Sequence, residues 1–152
     1  MRKDLPNGPD PGSGSGSGSG SGPGIVDRFY SAYATGNLHA LRTEILSPDA
    51  VWHVAGDHPL AGTRHGADQI AAYFERLGEA EFRNDVLFRH HADPYVTEVH
   101  HCRSADGTLD TLWVLFFRVE ALGDGGAERI TEIRKQPADQ AQADVFFTRH
   151  FS

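Results

Sequence analysis

The stretch from Ala50 to Leu77 constrains the fold more than any other part of this chain. It begins with a short aromatic strand over residues 50–54, which runs into a turn rich in glycine and proline. A helix is then predicted over residues 66–77. Its apolar residues recur at the i, i+3, i+4, i+7 spacing of one helical face, and they are Ile70, Tyr73, Phe74 and Leu77. This order predicts a helix that packs its apolar face on a sheet.

The rest of the sequence predicts two helices before this stretch and a run of strands after it. The helices are predicted over residues 25–35 and 38–45. The strands are predicted over residues 81–91, 95–103, 109–120 and 129–136, and a short terminal helix begins near Asp139. Helices followed by hairpin-linked strands are typical of an α+β fold. We therefore expect three N-terminal helices packed on one antiparallel sheet, with a short C-terminal helix.

The N-terminus differs in composition from everything after it. Residues 1–11 form a polar, proline-rich peptide, and residues 12–24 form a glycine–serine linker with no apolar side chain to bury. Two interpretations of the peptide stay open. It is a tag or disordered tail, or it is a ligand or substrate that the linker holds in cis near a pocket. The folded domain is predicted over residues 25–152, which suits a single core.

Charge and cysteine content limit the partners of this chain. The net charge of −7 argues against a nucleic acid or an anionic membrane as partner. No apolar run approaches the length of a membrane-spanning helix. Cys102 is the single cysteine, so the chain forms no internal disulfide and is compatible with a reducing cytoplasm, which is the predicted location.

Three segments resemble the SnoaL-like branch of the nuclear transport factor 2-like superfamily. They are residues 29–37, residues 52–62, and residues 130–132 with the approach to Asp139. Relatives in this superfamily include polyketide cyclases, limonene epoxide hydrolases and ketosteroid isomerases. The resemblance implies a cone-shaped, curved sheet around one deep pocket, a small-molecule or short-peptide ligand, a homodimer and no cofactor.

The resemblance also implies which side chains line the pocket. On the first strand Trp52 and Val54 face inward, and His53 faces outward. Because side chains alternate along a strand, the matching parity on residues 95–103 points Thr97, Val99 and His101 inward. The remaining candidate lining residues are Trp113, Ile133 and Lys135 from the strands, and Tyr33 and Tyr73 from the helices. Each of the two tyrosines either reaches the cavity or belongs to the plain core. An aromatic pocket of this kind suits a flat hydrophobic ligand or a proline-rich peptide.

The candidate catalytic residues are His101 and Lys135. Limonene epoxide hydrolase relatives activate water with a carboxylate–guanidinium–carboxylate set, but the matching positions here are His101, Val99 and Lys135, so that mechanism is not expected. A histidine is a good general base at neutral pH, and a lysine beside it could bind an enolate or a carboxylate. This predicts a cyclase or isomerase that moves a proton on a carbonyl-containing natural-product intermediate.

Two plainer alternatives remain open. His101 could merely hydrogen-bond within the sheet while Lys135 reaches water. The domain could also be a non-catalytic or peptide-acting binding module whose aromatic cleft holds the tethered peptide.

The histidine doublets do not predict a metal site. Adjacent strand residues point to opposite faces, so neither His90-His91 nor His100-His101 can chelate from one face. A hairpin turn at Asp93-Pro94 pairs His91 near Val96 and His101 near Val86, which keeps the inward histidines apart.

Overall fold

The computed structural model describes residues 24–123 and 126–151, so the predictions for residues 1–23 lie outside the described residues. The helices are α1 (Ile25–Ala34), α2 (Leu38–Ala40, continued by a π-helical turn over Leu41–Ile45), α3 (Ala67–Leu77) and α4 (Gln140–Phe151). The strands are β1 (Leu46–Val54), β2 (Gly62–His65), β3 (Phe82–Ala92), β4 (Tyr95–Ser104), β5 (Asp110–Leu122) and β6 (Ala127–Pro137). No helix in this part of the chain is long and apolar enough to span a bilayer.

The strands form one six-stranded sheet in the order β2-β1-β6-β5-β4-β3. The predicted α+β fold is confirmed, but the sheet is mixed rather than antiparallel, because β1 and β6 run parallel. These two strands are far apart in sequence, so no hairpin turn dictates their relative direction. β2 has four residues and lies inside the segment that the sequence analysis interpreted as a turn.

Helices α1 and α3 cover the inner face of the sheet and form the core with it. The predicted apolar face of α3 is buried, with Ile70 fully inaccessible. Phe29 of α1 contacts Phe74 of α3 at a ring-centroid distance of 5.4 Å, and Phe74 contacts Trp52 of β1 at 4.7 Å. The aromatic side chains of both helices and of β1 therefore interlock in one core.

The prediction of which β4 side chains point inward is wrong by one residue. Glu98 and His100 are buried on the inner face, whereas Val99 and His101 lie on the outer face. A strand alternates with a period of two, so a one-residue error in phase inverts every side chain. The predicted pairing of β3 with β4 is correct at His91 and Val96, but a bulge at Leu87 shifts the register, and His101 pairs with Asp85 instead of Val86.

Candidate active site

Both tryptophans of the chain lie on the inner face of the sheet. Trp52 extends from β1 and Trp113 from β5, and each is 1% exposed. Tyr73 of α3 contacts Trp52 at a ring-centroid distance of 5.4 Å, and Tyr33 of α1 contacts Phe74 at 5.1 Å. The helices thus complete an aromatic enclosure over the middle of the sheet.

Lys135 of β6 is a buried cation in this enclosure. Its residue is 8% exposed, and its Nζ lies 4.6 Å from the centroid of the Trp113 ring. No carboxylate of the described residues forms an ion pair with it. Burial lowers the pKa of Lys135, although the nearby Cys102 and Tyr33 act in the opposite direction. The ammonium is therefore held in the interior without a counter-ion.

The two indole N–H groups are also unsatisfied. Trp52 Nε1 and Trp113 Nε1 are buried and have no hydrogen-bond partner among the described residues. Trp52 Nε1 faces the Tyr73 hydroxyl and Trp113 Nε1 faces the Cys102 thiol, and both contacts fall short of full hydrogen-bond geometry. Buried donors without acceptors are rare in folded proteins. Because Lys135 lies over the Trp113 ring, this part of the inner face offers donors suited to a carbonyl, enolate or carboxylate oxygen.

A second polar cluster lies beside this surface, around Glu98 of β4. Its side chain is fully buried. Arg89 Nε donates to Glu98 Oε2 at 2.6 Å, and the Tyr30 hydroxyl donates to Glu98 Oε1 at 2.5 Å. Burial acts to raise the pKa of Glu98, but the hydrogen bond with His100 and the charge of Arg89 outweigh it and hold that pKa below its usual value. Glu98 is therefore an ionised carboxylate inside the fold.

His100 is oriented by this carboxylate. Its Nε2 lies 2.8 Å from Glu98 Oε1 and 3.2 Å from the Tyr30 hydroxyl oxygen. Because Glu98 is ionised and the Tyr30 proton is directed at Glu98, both neighbours accept from Nε2. The imidazole proton is therefore assigned to Nε2, which leaves the Nδ1 lone pair free. None of the residues that the structure describes hydrogen-bonds to Nδ1.

Trp113 connects the two clusters. It is the direct cross-strand partner of His100 in the β4–β5 ladder, so both side chains rise from the same face at neighbouring positions. The Lys135 ammonium lies over the same Trp113 ring. An imidazole and an ammonium therefore flank one aromatic wall.

The structure brings most of the sequence-predicted site residues together on the inner side. Those on the inner side are Tyr33, Trp52, Val54, Tyr73, Trp113, Ile133 and Lys135. Val99 and His101 are not among them. His101 Nε2 lies 2.6 Å from Oδ1 of Asp110, whose side chain is 60% exposed. His101 therefore belongs to a surface pair on the opposite side of the sheet.

The sequence analysis missed Tyr30, Glu98 and His100. Only the placement of β4 against α1 and β3 would have revealed them. A carboxylate–guanidinium–carboxylate set also exists where none was expected, because Arg89 Nη1 donates to Asp27 Oδ1 at 2.6 Å while its Nε donates to Glu98. This set ties α1 to β3 and β4 and keeps Glu98 ionised.

The loop between β1 and β2, together with α4, covers the inner site. His58 in this loop packs on Phe147 of α4 with ring centroids 4.9 Å apart, and Phe147 contacts Trp113 at 6.2 Å. His58 Nδ1 accepts from the Leu60 N–H at 3.1 Å, whereas His58 Nε2 is buried with no partner among the described residues. The loop and α4 therefore close the inner site on this side.

Two open cavities lie away from the tryptophans. A groove of about 480 Å³ runs along β1, β5 and β6, lined mainly by outward-facing residues such as His53, Phe116 and Arg134, and it also reaches Lys135. A cleft of about 590 Å³ lies between the end of α3 and the edge formed by Arg83 and Arg103. Within the described ranges, no group of three or more histidine, cysteine or acidic side chains is arranged to hold a metal ion.

Comparison with known proteins identifies the fold and the family. A family model described as "SnoaL-like domain" matches residues 26–133. The structure is similar to Bal32a from a soil-derived mobile gene cassette, with 28% identity, a TM-score of 0.66 and coverage of 81% of this chain and 93% of that one.

Two further solved structures show the same fold at lower identity. An NTF2-like protein of unknown function from Cytophaga hutchinsonii is 18% identical, with a TM-score of 0.54 over 74% of this chain and 86% of that one. A Sinorhizobium meliloti protein named "putative polyketide cyclase" is 18% identical, with a TM-score of 0.58 over 75% and 94% of the two chains. At these identities the likeness concerns the fold alone. No curated protein matches the chain.

Proposed function

This chain belongs to the SnoaL-like domain family, and we propose that it is a proton-transfer enzyme, a cyclase or isomerase, acting on a carbonyl compound at the inner face. The observation that carries the proposal is the hydrogen bond from His100 Nε2 to the ionised Glu98. Because the imidazole proton is on Nε2, the lone pair of His100 Nδ1 can act as a base. Proton transfer needs a base and a stabilised oxyanion on one substrate, and His100 and Lys135 flank the same Trp113 ring.

The proposed reaction begins at a carbon next to the carbonyl group. His100 Nδ1 takes a proton from that carbon. The electron pair of the C–H bond forms a C=C bond to the carbonyl carbon, and the π electrons of the carbonyl group move onto its oxygen to give an enolate. Glu98 stabilises the imidazolium, as a carboxylate does in other oriented histidine bases. Lys135 Nζ, with Trp113 Nε1 beside it, donates to the enolate oxygen.

The enolate then has two outcomes. In an isomerase, His100 returns its proton to a different carbon of the conjugated system. In a cyclase, the enolate carbon attacks a second carbonyl of the same molecule, and the new alkoxide takes up the proton. His100 replaces His101 in this scheme because His101 faces away from the site.

The test is exchange of α-protons for deuterium in a simple enolisable ketone, 2-tetralone, followed by proton NMR in deuterated buffer. We expect the His100→Gln variant to exchange the probe about 100-fold more slowly than the parent, because a positioned general base contributes about 10²–10⁴-fold. The matched control is His101→Gln, one residue away on the outer face, and it should stay within about threefold of the parent rate.

The two variants also separate chemistry from folding. Thermal melts establish that each variant is folded under the assay conditions. The proposal is wrong if the parent does not accelerate exchange above buffer, or if His100→Gln is folded and as fast as the parent.

A further inference from the structure

The inner side of this acidic chain carries positive charge that no acidic side chain neutralises. The chain has 21 acidic and 14 basic residues. Among the described residues, seven arginines contact a carboxylate, and they are Arg28, Arg42, Arg83, Arg89, Arg103, Arg118 and Arg134. Arg64, Arg76, Arg129, Arg149 and Lys135 have no such partner in the same part of the chain. Of these, Arg76 and Arg129 donate to backbone carbonyl oxygens, Arg149 is exposed on α4, and Arg64 and Lys135 lie on the inner side. In an acidic protein, two inward cations left without partners favour an anionic ligand.

Arg64 on β2 has a guanidinium that is only partly used. It lies 4.7 Å from the centroid of the Tyr73 ring. Its Nη1 donates to the backbone oxygens of Leu60 and Gly62, and no described acceptor receives the Nε and Nη2 protons. The unused edge of the guanidinium matches the two oxygens of a carboxylate.

Arg64 and Lys135 are placed to hold two ends of one small molecule. Arg64 pairs with Trp52 across β2 and β1, Trp52 pairs with Ile133 of β6, and Lys135 follows two residues later on the same face. Strands are about 4.8 Å apart and each residue advances about 3.4 Å, so the two Cα atoms lie about 12 Å apart. Arg64 lies over the Tyr73 ring and Lys135 over the Trp113 ring, so a small molecule that spans the gap contacts both cations, with Trp52 as the apolar wall between them.

His58 adds a third donor near these two cations. Both Lys135 and Arg64 act on it electrostatically, and its buried Nε2 makes only a weak contact with the Ala55 carbonyl, short of hydrogen-bond geometry in the described ranges. Asp144 of α4 is the acidic group that faces His58, but the Asp57 N–H and Gln140 Nε2 both donate to Asp144 Oδ1 at 2.9 Å. The carboxylate of Asp144 is therefore engaged by the loop and by α4.

We infer that the substrate is a keto carboxylic acid whose carboxylate binds Arg64 while its ketone lies between Lys135 and His100. This inference rests on the proposed function, since the ketone is the reacting group. Arg64 is then the residue that selects acids over neutral ketones of the same shape.

The experiment compares 3-benzoylpropionate with its primary amide by isothermal titration calorimetry. We expect the parent protein to bind the acid about tenfold or more tightly than the amide, because a hydrogen-bonded contact between two charged groups is stronger than one to a neutral amide. In Arg64→Met, affinity for the acid should fall to within about threefold of that for the amide, with amide binding unchanged. Arg64→Lys keeps the positive charge but loses the paired N–H groups of the guanidinium. Compared with Arg64→Met, it should recover part of the preference for the acid over the amide.

Arg134→Met is the matched control, because it removes the same charge from the outer groove. It should keep the full preference for the acid. The inference is overturned if the parent binds acid and amide equally or binds neither. It is also overturned if Arg64→Met retains the preference, or if Arg134→Met loses it, which would locate the anion in the outer groove.

Deuterium exchange on the same two ligands separates this inference from the proposed function. If binding of the acid over the amide depends on Arg64 but no α-proton exchange occurs, the carboxylate site is supported and the proposed enzyme function is wrong. If the acid and the amide bind with equal affinity and exchange their α-protons at equal rates, the proposed enzyme function is supported and the carboxylate site is wrong.

Discussion

Lys135 is a residue that stability alone would not favour at its position in this fold. It is a cation buried against an indole ring with no described counter-ion, and burial lowers its pKa. Removing a charge from water is unfavourable unless a partner compensates for it. A residue of this kind lowers the stability of the fold and is a candidate for a functional role. His101, which the sequence suggested as its partner, instead makes a surface pair with Asp110.

We expect Lys135→Met to stabilise the protein at neutral pH by about 0.5–2 kcal/mol, the usual gain when a functional compromise is removed. The folded-state pKa lies below the unfolded value, so folding disfavours the charged lysine. The penalty is fully present below the folded pKa and disappears as pH rises to the ordinary lysine value of about 10.4. Urea denaturation should therefore show a gap between variant and parent that narrows at alkaline pH.

Arg134→Met serves as the control for this measurement, because Arg134 is an exposed cation on the same strand. Its effect should stay within about 0.5–1 kcal/mol and lack the alkaline trend. A destabilised Lys135→Met at neutral pH would contradict the reasoning.

Among the secondary-structure elements, α4 depends on a close approach to the β1–β2 loop. Gly56 in this loop has φ +122°, and a Cβ there would stand 2.4 Å from Gln140 Nε2 and 2.5 Å from Asp144 Oδ1. These side-chain ends could swing away only by giving up hydrogen bonds, among them the one from the Asp57 N–H to Asp144. The position of α4 over the inner site therefore depends on a glycine in the facing loop.

We expect Gly56→Ala to be about 1–2 kcal/mol less stable than Gly62→Ala, the value of the hydrogen bonds that Gly56→Ala would break. Gly62 is the matched control because its φ of +111° is similarly strained for alanine, but nothing lies within 4 Å of the added Cβ. Thermal melts give the stability difference, and amide exchange should accelerate in α4 of Gly56→Ala alone. Equal stability and equal α4 exchange in the two variants would show that this contact does not hold α4.

The whole molecule presents an apolar stripe on the outer face of the sheet. Phe88, Val99 and Val114 are consecutive cross-strand partners on β3, β4 and β5. Phe88 is 54% exposed and Val114 is 45% exposed. Contiguous exposed apolar surface of this kind commonly marks an interface. We expect a second copy of the chain to cover it, in line with the homodimer that the family resemblance implies.

Substituting Val114→Lys should shift the protein from dimer to monomer in sedimentation equilibrium, since a charge at the β5 end of the stripe would be buried without a partner. Val145→Lys is the control, because Val145 is 58% exposed on α4, away from the stripe. That variant should keep the oligomeric state of the parent. A monomeric parent at micromolar concentration, or a dimeric Val114→Lys, would contradict the expected interface.

Local pattern was enough to predict the elements whose burial depends on one apolar face. The spacing of Ile70, Tyr73, Phe74 and Leu77 predicted α3 because a helix buries a stripe at that period. The inward position of Trp113 on β5 was implied by the family resemblance and agrees with the structure. β4 carries polar and apolar residues on both faces, so its own sequence could not reveal its phase. Glu98 and His100 are stable inside only because Tyr30 and Arg89 reach them from α1 and β3. Those partners, the parallel β1–β6 pairing and the bulge at Leu87 arise from contacts between segments distant in the chain, and only the assembled fold decides them.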